Sequence, residues 1–516
     1  MDMQELLSYP WSIMMPEFII LGVATFLSLL DLFMKEKTNR KIIAYIALAG
    51  VGAALFFVLR QLQTIGLEQP VYQILHDTYR LDGFAIAFKL IFLVGVAFCL
   101  ILSLDYVKTK EISYEGEFYY LILTGLLGAM ILASSADMIT MFVGLELLSL
   151  SSYILVGLRK KRLQSNESAF KYVVSGGIAT AIMLYGMSFI YGLSGSSNLF
   201  EIQDRLITAY TEGYEFLIYF AFFLLFVGMA FKISVVPFHM WAPDVYQGAP
   251  TPITAFLSVV SKAAGFALML RLFIVTIWPI GEFNQMTGMA DLIFFDLNFY
   301  LALAAAASMI IGNLLALRQT NIKRMFAYSS IAQAGYILVP LASLSHLFFI
   351  QNNQVVSTMI FYLFAYLFMN LGAFAVIQAV TNQAGTEDIK AFAGLYHRSP
   401  WKAFAMTIFL LSLAGLPITA GFFGKFMIFM VTLDQGLFWL AAVMVVTSVV
   451  SYFYYFGVFR QMYMRSGDSD TPIRLSVGIG VVTVLCLVGT IVLGLVPTDA
   501  LQMIHERFHF TELFFR

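Results

Sequence analysis

Gly228 to Gly265 reads GMAFKISVVPFHMWAPDVYQGAPTPITAFLSVVSKAAG. It joins two apolar spans with a lysine well inside each: Lys232 lies five residues before Pro237, and Lys262 eleven residues after Thr251. An ammonium group in hydrocarbon costs from about 3 kcal/mol on insertion scales to more than about ten in simulations, so it persists only when paired, hydrated or deprotonated. Two such lysines beside a proline break point to a route for charge through a membrane.

The rest of the chain supplies that membrane. Of 516 residues, 60% are hydrophobic and 12% are charged, against about a quarter charged in soluble domains. The net charge of -1 gives no electrostatic reason for a nucleic-acid partner. Cys99 and Cys486 each sit inside an apolar span, far apart in sequence, so neither a disulfide framework nor a thiolate metal site is expected. The opening MDMQELLSYP carries Asp2 and Glu5 where a secretory signal would carry Lys or Arg, and the first span is expected to be retained.

A helix needs about 20 apolar residues to cross a bilayer. Fourteen runs meet that length: 16–34, 41–62, 82–104, 117–134, 137–158, 167–193, 215–241, 251–274, 297–317, 325–344, 355–380, 401–433, 436–459 and 475–495. An even count places both termini on one side. With the termini outside, nineteen Lys and Arg fall in inner loops and five, Arg271 among them, in outer segments. That bias sets the orientation. The outer loop 194–214 places Leu199, Ile202, Leu206 and Tyr210 at helical spacing, as a short amphipathic helix on the membrane surface would. No loop holds a soluble domain, so a single all-α polytopic membrane domain spanning 1–516 is expected. Pro237 follows Lys232 in the seventh run and Pro417 precedes Lys425 in the twelfth, in spans of opposite direction. An inverted repeat has this pattern, with one broken helix in each half.

At 1.5 Å per residue, Glu146 lies about 18 Å and Lys232 about 13 Å from the inner ends of their spans, so the two are within reach of each other. Lys262 comes out near the midplane, and Lys425 about 12 Å from the outer end of its span. The series Glu146, Lys232, Lys262, Lys425 therefore steps across the membrane, with Ser258, Ser261, Ser308, Asn313, Tyr328, Ser329, Gln333 and Asn370 available to hold water between them. Pro237 and Pro417 free backbone carbonyls that must find polar partners. Lys89, only seven residues into the third span, is expected to snorkel outward. Lys171 is close enough to the inner side to do the same or to serve the path. His239, near the inner end of the seventh span, suits an interfacial role as well as proton handling.

The stretch 232–264 resembles the signature of the proton-pumping, antiporter-like subunits of respiratory complex I and of Mrp-type cation/proton antiporters. The stretches GEFYYLILTGLLGAMILASSADMITMFVGLELLSLSSYIL (116–155), ESAFKYVVSGGIATAIMLYGMSFIYGLSG (167–195), NIKRMFAYSSIAQAGY (321–336) and GLPITAGFFGKF (415–426) narrow the resemblance to the complex I branch. The resemblance implies fourteen helices with two inverted five-helix repeats, here 117–274 and 297–459, and broken helices 7 and 12. It also implies that Glu146 and Lys232 form a pair, that Lys262 is the central proton carrier, that Lys425 is the carrier of the twelfth helix, and that Lys171 is accessory. On this resemblance NADH, FMN, iron–sulfur clusters and quinone belong to partner subunits in the cell membrane, and this chain holds no cofactor or metal. The alternative is the large subunit of an Mrp-type sodium/proton antiporter.

Overall fold

The computed structural model describes residues 7–35, 40–65, 71–106, 112, 114–277, 281–284, 289–344, 349–467, 471–473 and 476–513. Lys37, Lys108, Lys110, Arg474 and Arg516 of the charge count, and His346, lie outside the described residues. The chain is a multi-pass helical membrane protein. Among the described residues thirteen helices are long and apolar enough to cross a bilayer. The run 401–433 is two shorter helices instead.

In chain order the helices are α1 (Met15–Phe33), α2 (Lys41–Thr64), α3 (Gly83–Tyr106), α4 (Glu115–Ser134), α5 (Met138–Val156) and α6 (Leu163–Ser194). Next come α7 (Leu199–Thr211), α8 (Glu215–Ile233), α9 (Trp241–Gly248) and α10 (Thr251–Ile277). The second half holds α11 (Ile293–Ala316), α12 (Ile322–Ala342), α13 (Phe349–Ala384), α14 (Pro400–Ala414) and α15 (Ala420–Asp434). It closes with α16 (Phe438–Met464), α17 (Val477–Leu495) and α18 (Pro497–Phe508). Two small antiparallel hairpins, Tyr72–Ile74 with Tyr79–Leu81 and Gly281–Asn284 with Met289–Leu292, interrupt the all-helical pattern.

Burial sorts these helices into a centre and a periphery. Every residue of α10 is buried, and α12 and α13 are almost as enclosed. On the outer helices, apolar side chains such as Phe26, Val143, Ile178 and Val446 stay exposed, which costs nothing against lipid tails. α10 contains two π-helical segments, Leu257–Ser261 directly before Lys262 and Phe273–Ile277 at its end. Arg271, counted above among the outer segments, falls within the 251–274 run and is buried inside α10.

One device occurs twice. At the start of α5, Asp137 accepts from Thr140 N as an N-cap and bridges to Asn198 ahead of α7. At the start of α12, Asn321 accepts from Lys323 N and Arg324 N and bridges to Asp388 beyond α13. A side-chain oxygen at an N-cap satisfies amides that have no helical partner. The first of these knots lies at the end of the bundle carrying the Tyr72–Leu81 hairpin, as the Tyr79–Ser135 bridge shows. We call it the hairpin face. The second lies at the opposite end, where Arg159 and Lys323 both donate to Ala249 O, each at 3.0 Å. We call that end the basic face.

Candidate functional site

The seventh run is helical only to Ile233. Ser234 takes a left-handed conformation (φ 58°), the Val236–Pro237 bond is cis, and the chain restarts as α9 at Trp241. Backbone groups at this break find side-chain partners: Val236 N donates to Ser308 Oγ at 2.9 Å, and Phe231 O accepts from the Trp241 indole Nε1 at 3.0 Å. Tyr172 stacks on Trp241 with ring centroids 4.5 Å apart, which fixes the restart against α6. The second break mirrors the first. α14 ends at Gly415 (φ 87°), where a Cβ would crowd Lys425 Cδ at 3.2 Å, and Pro417 and Ile418 (φ 75°) separate it from α15.

Lys232 closes α8, 4% exposed, and donates to Ser149 Oγ at 2.9 Å. Ser149 is one turn beyond Glu146 on α5. Glu146 itself makes no ion pair within 4.0 Å among the described residues, and its Oε1 is buried without a hydrogen-bond partner. In this structure the carboxylate and the ammonium therefore face the same stretch of α5 without direct contact.

Lys262, 2% exposed, reaches α12, where it donates to Ser330 O at 2.6 Å and Ser330 Oγ at 2.5 Å. Ser330 Oγ is in turn 3.2 Å from Tyr246 OH on α9. One turn further along α12, Gln333 Nε2 donates to Leu413 O at 3.0 Å and its Oε1 accepts from Tyr362 OH. Leu413 O is also bonded by Lys425 Nζ at 2.9 Å, with Ala414 O at 3.3 Å beside it. The carbonyls freed at the α14 break thus hold the ammonium, which lies 4.5 Å over the Tyr336 ring. Asn370 Nδ2 reaches Ser258 Oγ at 2.8 Å, and Ser329 Oγ reaches Tyr455 OH at 2.5 Å. Both lysines thus meet at α12, Lys262 directly on Ser330 and Lys425 through the Leu413 carbonyl that it shares with Gln333.

Lys171 and His239 stand apart from this row. Lys171 is 45% exposed and pairs with Glu167 at 2.7 Å and Asp244 at 2.6 Å. Asp244 also binds Arg324 at 2.6 Å. With Arg159 on Gly248 O and Ala249 O, and Lys323 on Ala249 O and Glu387, these cations clamp α9 at the basic face. Burial alone would raise the Asp244 carboxyl, but the hydrogen bonds from Lys171 and Arg324 outweigh it and hold the group below the usual carboxylate range. His239 is buried in the break, and its Nδ1 has no hydrogen-bond partner.

Lys89 does not snorkel. It is fully buried, with Nζ 2.6 Å from Glu17 Oε1 and 2.8 Å from Tyr79 OH. Beside it, Arg271 binds both Asp82 oxygens at 2.5 and 3.0 Å and Ala133 O at 2.8 Å. The hairpin Tyr72–Leu81 covers the end of α3 and removes the water that Lys89 would otherwise reach. Ser149, Ser330 and Tyr246 were also absent from the sequence reading. The only available signal was a hydroxyl within apolar helix, which is common.

The fold and the buried lysines at two helix breaks define an antiporter-like membrane protein. Residues 135–451 match the family model described as NADH:quinone oxidoreductase/Mrp antiporter, TM. NADH-quinone oxidoreductase subunit N of Brevibacillus brevis is 56% identical over 506 residues, which is 98% of this chain and 97% of the relative. The chain belongs to the family of NADH-quinone oxidoreductase subunit N. Among solved structures, respiratory complex I from Thermus thermophilus with bound aureothin holds a chain 32% identical to this one. It superposes with a TM-score of 0.76 over 95% of this chain and 99% of that one. The Mrp complex from Dietzia sp. superposes with a TM-score of 0.81 over 98% of both chains at 19% identity, a likeness of fold alone.

Proposed function

We propose that the chain is the proton-translocating membrane subunit of an NADH-quinone oxidoreductase, working with the other membrane subunits of respiratory complex I in the cell membrane. NADH oxidation and quinone reduction, with FMN and iron–sulfur clusters, belong to partner subunits. The chain's two cysteines, both buried, and its lack of a dinucleotide fingerprint accord with this. The observation that carries the reading is that both buried lysines meet at α12: Lys262 donates to Ser330, and one turn further on Gln333 shares the Leu413 carbonyl with Lys425.

On this reading α14 and α15 form one broken span equivalent to α8 and α9, which makes fourteen spans and two inverted repeats, 117–274 and 297–459. The capped knots on opposite faces support that symmetry. The basic face is cytoplasmic by the positive-inside bias, and both termini are external. A carboxylate drawn towards an ammonium favours its charged form, and one drawn away releases the proton. Movement of Glu146 relative to Lys232 would therefore load or unload that lysine. Lys232 passes its proton to Lys262, and Lys262 passes it to Lys425 along α12. Lys171 and His239 act at the margin, by holding and flanking the break at Pro237, as Pro417 shapes the break at Lys425.

The test is Lys262→Met in the assembled complex. Proton transport should fall while NADH-binding partners and assembly are retained. A normal ratio of protons to electrons in fully assembled complex would remove Lys262 from the path. Sodium-dependent exchange by a flavin-free assembly would favour the antiporter.

A further inference from the structure

Lys425 lines a groove of about 250 Å³ between α15 and α16. A second cavity, of about 390 Å³, opens at the far end of α15, between α13, α15 and the C-terminal helix α18. The two share one wall residue, Phe426. Its ring, 46% exposed, stacks on Phe422 with centroids 5.9 Å apart and lines both the ammonium groove and the second cavity.

The second cavity differs chemically from the helix beside it. From Lys425 to Asp434, α15 rises about 14 Å through Phe426, Met427, Ile428, Phe429 and Met430, none of which takes up a proton. The cavity presents Ser357, Thr358, Gln502, Asp434 and His505 instead. His505 Nδ1 lies 3.2 Å from Ser357 Oγ, which orients the ring across the space between α18 and α13. α18 is firmly seated there. Its last turn meets the start of α3 so closely that a Cβ on Gly83 would fall 1.5 Å from Phe508 O. The cavity therefore lies at the hairpin face, which the charge bias makes external.

We propose that this cavity is the exit vestibule of the proton path, with Phe426 as the wall it shares with the groove and Asp434 and His505 as the residues that pass the proton to bulk water. The proposal rests on the proton-carrying reading of Lys425. The ammonium gives up one proton to water in the groove that it lines and becomes an amine, and the proton passes Phe426 into the vestibule. The proton moves through water to the Asp434 carboxylate or the His505 ring nitrogen, and leaves to the outside. The amine is charged again from Lys262.

The test uses cysteine variants of the assembled complex in membrane vesicles. The native Cys99 and Cys486 are buried and do not compete for reagent. Thr498→Cys lines the vestibule, whereas Thr211→Cys lies on the same face on α7, away from it. A membrane-impermeant thiol reagent added on that face should label both. It should lower proton transport in Thr498→Cys to the level of Lys425→Ala and leave Thr211→Cys unchanged. The complex before labelling is its own control for folding. His505→Gln combined with Asp434→Asn should reproduce the loss without reagent. If Thr498→Cys stays unlabelled, or is labelled and transports normally while Lys425→Ala is impaired, the vestibule is overturned. An equal loss in both labelled cysteine variants overturns it as well. If Lys425→Ala itself transports normally, the proton-carrying reading of Lys425 fails first.

Discussion

Replacing Lys89 by methionine removes a cation that no solvent reaches. Its side chain is 0% exposed and that of Glu17 3%, so the usual discount for a solvated pair does not apply. The change deletes the 2.6 Å contact to Glu17 and the 2.8 Å hydrogen bond to Tyr79 OH, and leaves the carboxylate sealed between α1 and α3. Removing one partner of a buried pair costs about 3–5 kcal/mol, or roughly two to three and a half powers of ten in the folding equilibrium. Glu17→Gln alone should cost a similar amount. The double variant should recover most of the loss, because two neutral side chains of similar shape need no counter-charge. About 1 kcal/mol should remain for the weakened bonding of Tyr79. The assay is thermal denaturation of detergent-solubilised complex, alongside its yield, for the four members of the cycle. A single variant as stable as the parent, or a double variant no better than the worse single, would refute the reasoning. Proton transport should be normal in the recovered double variant, since the pair lies outside the lysine row.

Ser330→Ala leaves Lys262 its carbonyl but removes the hydroxyl that links it to Tyr246. Losing one such bond, worth about 1 kcal/mol, should slow proton transport about fivefold with assembly unchanged, and an unaltered rate would detach Ser330 from the path. Asp244→Asn loosens the clamp on α9; because Asp244 is about a third exposed, the cost should be about 1 kcal/mol or less. The folded carboxyl is held below its unfolded value of about 4. Its contribution is therefore fully present above that value and fades only as the pH falls through the depressed one, so the difference in melting temperature should be constant from about pH 6 to 8, and a drift across that window would contradict the assignment. A cysteine in the loop Arg159–Arg162 should be labelled only from the cytoplasmic side, and the reverse result would invert the orientation.

Much of this architecture was legible because charge in an apolar run is rare. Lys232, Lys262 and Lys425 stood out by depth alone, and Pro237 and Pro417 marked both breaks. What the sequence hid were the partners. Depth along a run tells how far a residue lies from its end but not what covers that end, which is why Lys89 read as snorkelling when a hairpin seals it. Glu17, Asp82 and Arg271 sit near the ends of apolar runs, where charges are ordinary. Their burial comes from chain segments distant in sequence. The direct pairing of Glu146 with Lys232 was a statement of reach, and the structure puts Ser149 on the lysine instead.

The π-helical segment before Lys262 accommodates one residue more than a plain α-helix would over the same path. Each residue turns a helix by about 100°, so the extra one sets the azimuth at which Lys262 leaves α10 and meets Ser330. Deleting Val259 should relax the segment to α-helix, and the complex should assemble without transporting protons; normal transport would show that the azimuth is set elsewhere. Such a variant keeps its hydrophobicity and, to within about 1.5 Å, its length. The expected outcome is that a frame shift of one residue, invisible to any hydropathy profile, abolishes transport.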